Sequence, residues 1–292
     1  MFEQLGLIGC GLMGGSFALA LKRAGLVKRV VGYSKSPSTT ERALQLGVID
    51  AAAPSALQAV SGSDVVLLAV PVAATESTLK AIRHLVTRDM LVMDVGSTKR
   101  DVVADARRVM GDQLGAFVPC HPIAGKESSG IEHATPDLYR DHHVVITPIE
   151  RTGVAQLNQA RAVWEALGCR VHLMSPEAHD AALAAVSHLP HLVAFAAVDA
   201  VRRQSQGAEF LALAGPGFRD FTRIAASDPQ IWRDILLANR HEVIEQSQRL
   251  RERLAVFEQA MQADDPQALE TLIREASAVR ARWKMGRGLE DH

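Results

Sequence analysis

Leu5-Gly6-Leu7-Ile8-Gly9-Cys10-Gly11-Leu12-Met13-Gly14-Gly15-Ser16 is the stretch from which the rest of the chain is read. Apolar residues lead into Gly9, Gly11 and Gly14, which stand at G-x-G-x-x-G spacing, and an apolar helical pattern, Phe17-Ala18-Leu19-Ala20-Leu21, follows. A strand, a tight turn and a helix in that order are the fingerprint of a dinucleotide site. Gly9 permits the turn, Gly11 lets backbone approach a pyrophosphate, and Gly14 lets the helix pack closely on the strand. The free N–H groups and positive dipole end of that helix then face the phosphates. Leu12 and Met13 in the turn, and Val70 and Pro71 at the end of a later strand, are expected to border the same cofactor. The competing reading is a glycine-rich turn with no ligand.

Strands and helices alternate outward from this turn. Arg29–Tyr33 reads as a second strand, Asp64–Pro71 as an almost wholly apolar central one and Met90–Asp94 as another. Helices are expected over Ser38–Leu46, Thr75–Val86 and Lys99–Met110, followed by a short strand at Ala116–Pro119. Val144–Thr147 and Arg170–Met174, flanking a helix from Ala155 to Leu167, are expected to extend the same sheet. Alternating units of this kind give an α/β fold, a doubly wound Rossmann domain. At Ser175-Pro176 the pattern changes: serine is an N-cap and proline the first helical residue. A long alanine-rich helix runs on towards Arg203, and helices over Gln230–Met261 and Pro266–Trp283 follow, with no further strand expected. The predicted domains are 1–174, dinucleotide-binding, and 175–292, helical, substrate-binding and dimerising. The alanine-rich helix is apolar on too many sides for a monomer surface, so a second subunit is its natural cover; a core helix inside one chain is the alternative.

A chain of 292 residues accommodates about two domains. Its net charge of −1 gives no electrostatic case for nucleic acid or an anionic membrane. No apolar run is expected to span a bilayer; the longest candidate, Val65 to Val72, reads as a buried strand. No signal segment is read at the N-terminus, and three scattered cysteines form neither a disulfide framework nor a metal pair. These features lead us to expect a soluble protein of the cytoplasm, without a metal.

Four stretches carry chemistry. Asp94-Val95-Gly96-Ser97-Thr98-Lys99 follows a strand, where ligands of open sheets bind; Ser97 is placed to meet substrate or nicotinamide, or to cap the next helix. His121, in Cys120-His121-Pro122-Ile123-Ala124-Gly125-Lys126-Glu127, also lies just past a strand and is placed for proton transfer. Ser187-His188-Leu189-Pro190-His191 puts proline inside a helix at a cost of roughly 3 kcal/mol, a broken rule that marks functional sites. Gly215-Pro216-Gly217-Phe218-Arg219-Asp220-Phe221-Thr222-Arg223-Ile224-Ala225 reads as a loop offering arginine's fork to a carboxylate, with Arg223 the better candidate than Arg219, which fits a solvated surface turn.

Together with Gly9–Ser16 and Ser227-Asp228-Pro229 to Trp232-Arg233-Asp234, these stretches resemble the prephenate dehydrogenases, including the arogenate and cyclohexadienyl variants of tyrosine biosynthesis. The resemblance implies a Rossmann domain plus a helical domain that forms a homodimer. It also implies oxidative decarboxylation of a small molecule, prephenate to 4-hydroxyphenylpyruvate or arogenate to tyrosine, with hydride passing to a nicotinamide cofactor. Neutral His121 would accept the ring-hydroxyl proton, with Ser97 assisting at the hydroxyl and orienting it. His191 and Arg223 would hold carboxylates, His188 would support the pocket, and Glu127 and Asp220 would gate or read the side chain. The choice between prephenate and arogenate stays open.

The second strand ends Gly32-Tyr33-Ser34-Lys35-Ser36, with serine where NAD-preferring folds carry an acidic residue. Serine hydroxyls and a lysine suit a 2′-phosphate, so NADP is expected over NAD; Lys35 as a solvated turn residue is the alternative. Two rival functions remain. A β-hydroxyacid dehydrogenase needs a catalytic lysine on the interdomain helix, and no lysine lies between Lys126 and Lys284. A non-catalytic NADP-binding sensor would not need His121, His188, His191 and Arg223 together.

Overall fold

The computed structural model describes residues 1–125 and 129–284, and the backbone of 288–289. Strands β1 (Phe2–Ile8), β2 (Val27–Tyr33), β3 (Ala51–Ala52), β4 (Val65–Leu68), β5 (Leu91–Asp94) and β6 (Phe117–Val118) pair in parallel in the order β3-β2-β1-β4-β5-β6. Helices α1 (Leu12–Arg23), α2 (Pro37–Gln45), α3 (Ala56–Val60), α4 (Thr75–Ile82) and α5 (Arg100–Val109) make the crossovers. This is the doubly wound Rossmann order, and the chain reverses direction across the sheet between β1 and β4. β4 is apolar on both sides because both faces are covered. Val65 and Leu67 join one core with Leu5, Leu7 and Phe17, while Val66 and Leu68 join another with Ile8, Leu79 and Val92.

The later strands do not extend this sheet, contrary to expectation. β7 (Cys120–Ile123), β8 (His143–Ile146) and β9 (Arg170–Leu173) form a separate sheet, β7 antiparallel to β8 and β8 parallel to β9, with α6 (Val154–Ala166) between β8 and β9 in the chain. Two local facts end the first ladder at Val118. Pro119 has no N–H to give, and the N–H of Cys120 goes instead to the Asp94 carboxylate at 3.0 Å.

Helices follow from Ser175, whose hydroxyl accepts the Ala178 N–H and caps α7 (Pro176–Leu183) as the sequence predicts. A π turn, Ala184–His188, joins α7 to α8 (Leu189–Arg202), so Pro190 sits at the start of a helix and leaves no broken bond inside one. Pro176 to Arg202 is thus one continuous helical stretch of 27 residues containing an 18-residue window of mean hydropathy 1.7, long and apolar enough by length and composition alone to cross a membrane. It is not an uninterrupted apolar run, because carboxylates, histidines and a proline interrupt it. Its His179, Asp180 and His188 are buried in protein. α9 (Gly207–Ala212), α10 (Pro216–Thr222) and α11 (Pro229–Ala238) complete a compact unit, Met1–Asn239.

Two further expectations are corrected. The stretch read as a loop over Gly215–Ala225 is α10 followed by a 3₁₀ turn at Arg223–Ala226, because Gly215 and Pro216 serve as N-cap and first helical residue. The helix expected over Gln230–Met261 breaks at Asn239, and α12 (Arg240–Gln262) starts after it. The second compact unit, Arg240–His292, holds α12 and α13 (Pro266–Arg282), the latter capped by Asp265, which accepts the Ala268 N–H at 2.9 Å. A two-residue ladder of β10 (Trp283–Lys284) and β11 (Gly288–Leu289) follows, where no further strand was expected.

Candidate active site

A cleft of about 390 Å³ opens at the carboxyl ends of β1, β4 and β5, where the strand order reverses. Gly11, Leu12 and Met13 line it after β1, Ala69 to Val72 after β4, and Val95 to Ser97 after β5. The facing wall comes from Ser227, Asp228 and α11, with Trp232 and Ile235 prominent. The acidic groups of that wall are already engaged: Asp228 caps α11 through the Gln230 and Ile231 N–H groups, and Asp234 pairs with Arg233 at 2.7 Å.

The glycine turn divides its work by position. Gly9 has φ +99°, and a Cβ there would lie 2.2 Å from the Ala69 carbonyl oxygen. A Cβ on Gly14 would lie 2.1 Å from the Gly9 carbonyl oxygen, so α1 touches the turn. Gly11, in contrast, has nothing within 4 Å of its Cβ position and faces the cleft. That open side, together with an α1 N-terminus lacking a side-chain cap and an acidic residue in its first turn, fits a dinucleotide pyrophosphate. Ser34 accepts the Cys10 N–H at 2.8 Å and so braces the same turn. Lys35 is exposed beside it, and Ser36, at the start of α2, shares a hydrogen bond with Ser38.

Asp94, at the end of β5, organises the two candidate stretches around Ser97 and His121. Its carboxylate accepts the Gly96 N–H at 2.8 Å and the Cys120 N–H at 3.0 Å, and pairs with the wholly buried Lys99 ammonium. Lys99 also donates to the Cys120 carbonyl at 2.8 Å. A buried pair is tolerable only when its remaining hydrogen bonds are made, as they are here. The result ties the turn carrying Ser97 to the strand carrying His121. Ser97 lines the cleft. His121 is only 9% exposed and is not among the residues that line it; its Nδ1 lies 2.7 Å from His179 Nε2. Burial, then the charges of His179, Lys99 and His188, hold its imidazole well below the usual histidine pKa, so it is neutral at pH 7.

The π turn and the start of α8 place the two histidines differently. His188 is buried, its Nδ1 3.1 Å from Asn239 Nδ2 and its Nε2 without a partner, and burial foremost lowers its pKa to about 4. His191 stacks on Trp232 with ring centroids 3.5 Å apart, and its Nδ1 meets the Ser187 carbonyl at 2.9 Å. Burial lowers its pKa too. His191 therefore reaches the cleft wall through Trp232. Arg223, in the 3₁₀ turn, and Asp220, paired with Arg219 at 2.9 Å, are exposed and lie outside the residues lining the cleft. Glu127 lies outside the described residues. Among the described residues there is no cluster of three or more His, Cys, Asp or Glu fit for a metal.

Sequence reading missed His179, Asp180 and Asn239. Asp180 accepts the Lys99 and Arg100 N–H groups at 2.8 and 3.0 Å and the His179 Nδ1 contact at 2.7 Å, and Asn239 donates to its carbonyl at 2.8 Å. The available signal was a pair of titratable residues in the first turns of an otherwise apolar, alanine-rich helix.

Comparison with known proteins agrees with this geometry. The sequence model described as "Prephenate dehydrogenase, nucleotide-binding domain" matches residues 17–173, and "Prephenate dehydrogenase, dimerization domain" matches 175–275. A prephenate dehydrogenase of Bacillus subtilis is 37% identical over 84% of this chain and 66% of its own length. A cyclohexadienyl dehydrogenase of Zymomonas mobilis is 34% identical over 82% of each. The crystal structure of prephenate dehydrogenase from Aquifex aeolicus, in complex with hydroxyphenyl propionate and NAD+, superposes with a TM-score of 0.90 at 36% identity, covering 96% of this chain and 98% of that one. A Rossmann sheet with a glycine turn, a buried neutral histidine past the sheet and a helical partner carrying the two further histidines all converge on one assignment: the chain belongs to the prephenate dehydrogenase family.

Proposed function

We propose that this chain catalyses the oxidative decarboxylation of prephenate or arogenate with a nicotinamide cofactor. The observation that carries the reading is His121, a buried histidine kept neutral and tied through Asp94 to the turn that bears Ser97. A neutral imidazole has the lone pair needed to accept the ring-hydroxyl proton. A nicotinamide cofactor, when bound, would supply the acceptor for the hydride that leaves the hydroxyl-bearing carbon. The ring carboxylate leaves as carbon dioxide and its bonding electrons complete the aromatic ring. Ser97 assists at the hydroxyl, His191 and Arg223 hold carboxylates, and His188 supports the wall. Glu127 and Asp220 are assigned to gating or side-chain recognition.

Gly9, Gly11, Leu12, Met13 and Gly14, with Val70 and Pro71 opposite, form the cofactor cradle in this reading. NADP is preferred over NAD: Ser34, Lys35 and Ser36 offer hydroxyls and a cation, and no carboxylate stands there to repel a 2′-phosphate. The working form is a homodimer. Support comes from the matched dimerisation model and from the helical Pro176–Arg202 stretch, whose apolar 18-residue window is only 22% buried within one chain. Light scattering at micromolar concentration should give twice 31.5 kDa.

The test is steady-state kinetics with prephenate and arogenate, each with NADP and NAD, scoring reduced cofactor against carbon dioxide. One-to-one release with at least one substrate is expected. Cofactor binding without turnover of either substrate would favour the sensor reading instead.

A further inference from the structure

Asp180, His179 and His121 form a continuous line of contacts reaching from the N-terminus of α5 to β7. It begins with Asp180, whose Oδ1 and Oδ2 accept the backbone N–H groups of Lys99 and Arg100 at 2.8 and 3.0 Å. Lys99 is the N-cap residue of α5 and Arg100 its first helical residue, so a carboxylate of α7 satisfies the start of α5 from outside it. Burial alone would raise the Asp180 pKa, but hydrogen bonds from His179 and from the Arg100 and Lys99 N–H groups outweigh it and the net shift is downward. Asp180 is therefore an ionised carboxylate, which only accepts.

Each proton position downstream is then fixed by elimination. His179 Nδ1, 2.7 Å from Asp180 Oδ1, must carry a hydrogen and donate. Burial lowers the His179 pKa and keeps the ring neutral, so its Nε2 bears the lone pair. That nitrogen lies 2.7 Å from His121 Nδ1, which must in turn be the protonated donor. In a neutral His121 the lone pair is left on Nε2, and no described residue donates to that atom. The opposite tautomer of His121 would set two lone pairs against each other across 2.7 Å in a buried place.

We propose that His179 and Asp180 are positioning residues that select the His121 tautomer with its lone pair on Nε2 and hold that ring in place for proton abstraction. The inference rests on the assignment of His121 as the base. Neither residue needs to touch substrate. Asp180 does for His179, and His179 for His121, what a carboxylate does for the histidine of a serine-protease triad, with one more ring in the line.

The tautomer is read directly by NMR of the ligand-free enzyme carrying ¹⁵N-labelled histidine, assigned with the His121→Asn and His179→Gln variants. Wild-type His121 should show a protonated Nδ1 and an unprotonated Nε2 at pH 7.5; an unprotonated Nδ1 would overturn the inference whether or not the enzyme turns over. Kinetics supply the second reading. Asp180→Asn can donate to His179 Nδ1 and so reverse the line, and it should lower kcat about 10²–10⁴-fold with KM nearly unchanged. His179→Gln, whose amide can donate to Asp180 and accept from His121, should retain far more kcat than His179→Leu. If both His179 variants and Asp180→Asn, folded by circular dichroism, keep wild-type kcat and the same His121 tautomer, the positioning role is excluded. A wild type inactive on prephenate and arogenate would instead remove the assignment of His121 as base, while the NMR result would still decide the tautomer.

Discussion

The glycine turn after β1 and the helical stretch from α7 to α8 both serve the site, one through backbone and the other through side chains. In the turn, function depends on what is missing: no Cβ at Gly9, where φ is +99° and the Ala69 carbonyl would stand 2.2 Å away, and none at Gly11, which faces the cleft. Such requirements are local, so residue spacing reveals them. In the helices, function depends on which groups meet, and Asp180, His179 and His188 find their partners far along the chain in Lys99, His121 and Asn239. The π turn shows why spacing fails there. At about 100° per residue an α-helix sets Asp180 and His188 about 80° apart, whereas one extra residue absorbed by a π turn brings them within about 20°. Asn239 bridges the two, donating to the Asp180 carbonyl at 2.8 Å and meeting His188 Nδ1 at 3.1 Å.

The largest expected effect separates two glycines of one turn. Gly9→Ala meets both a positive φ and a backbone oxygen. Strain of about 1–3 kcal/mol from the dihedral and about 1–3 kcal/mol from overpacking should lower stability and abolish cofactor binding. Gly11→Ala has open space, so its melting temperature should stay within a degree or two of wild type, on the order of the 0.5 kcal/mol seen at neutral sites, while cofactor affinity falls. Equal loss of stability in both variants would break the division between architecture and ligand contact.

Arg223→Ala comes next and probes the side-chain half. Losing a charged hydrogen bond to a substrate carboxylate costs about 1.5–3 kcal/mol, a KM raised roughly 10- to 100-fold with kcat little changed. An unchanged KM would remove Arg223 from substrate binding, in keeping with its place outside the cleft-lining residues. Ser34→Asp should be smaller and opposite in sign for the two cofactors. A carboxylate can still accept the Cys10 N–H, so the turn survives, but it repels a 2′-phosphate and accepts from a free ribose. NADP should lose kcat/KM and NAD should gain; a wild type already preferring NAD tenfold would overturn the cofactor preference.

The smallest effect is on stability against pH. Burial lowers the pKa values of His121, His179, His188 and His191 below 6.5, His188 to about 4. Between those values and 6.5 the unfolded chain binds more protons than the folded one, so stability rises with pH across this window. It should be complete above about pH 6.5 and fall progressively towards pH 4, seen as a declining urea midpoint. A midpoint constant from pH 7.5 to 4.5 would mean that these rings are not buried neutral.

The sequence is legible where each choice is settled within a few residues. The parallel sheet, the cap at Ser175, the glycine turn and the strand-end placement of Ser97 follow from local pattern, whereas His121, read as lying just past a strand, sits inside β7 and pairs with Val145. The separate sheet of β7, β8 and β9 was not legible, because it depends on the Asp94 carboxylate claiming the Cys120 N–H. The break at Asn239 was hidden by an apolar period that runs through it, and its cause is the side chain's tertiary bonds. Histidines 179 and 188 gain meaning only with their partners. His121 was singled out from position alone, and its burial and the Asp180–His179 line behind it required the fold.

One substitution tests the assignment of His121 most directly. His121→Asn keeps approximate shape and hydrogen bonding but cannot accept the hydroxyl proton. On whichever of prephenate and arogenate the wild type uses, kcat should fall by about 10²–10⁴-fold while KM stays nearly constant. Near-normal turnover by a folded His121→Asn enzyme would contradict the account.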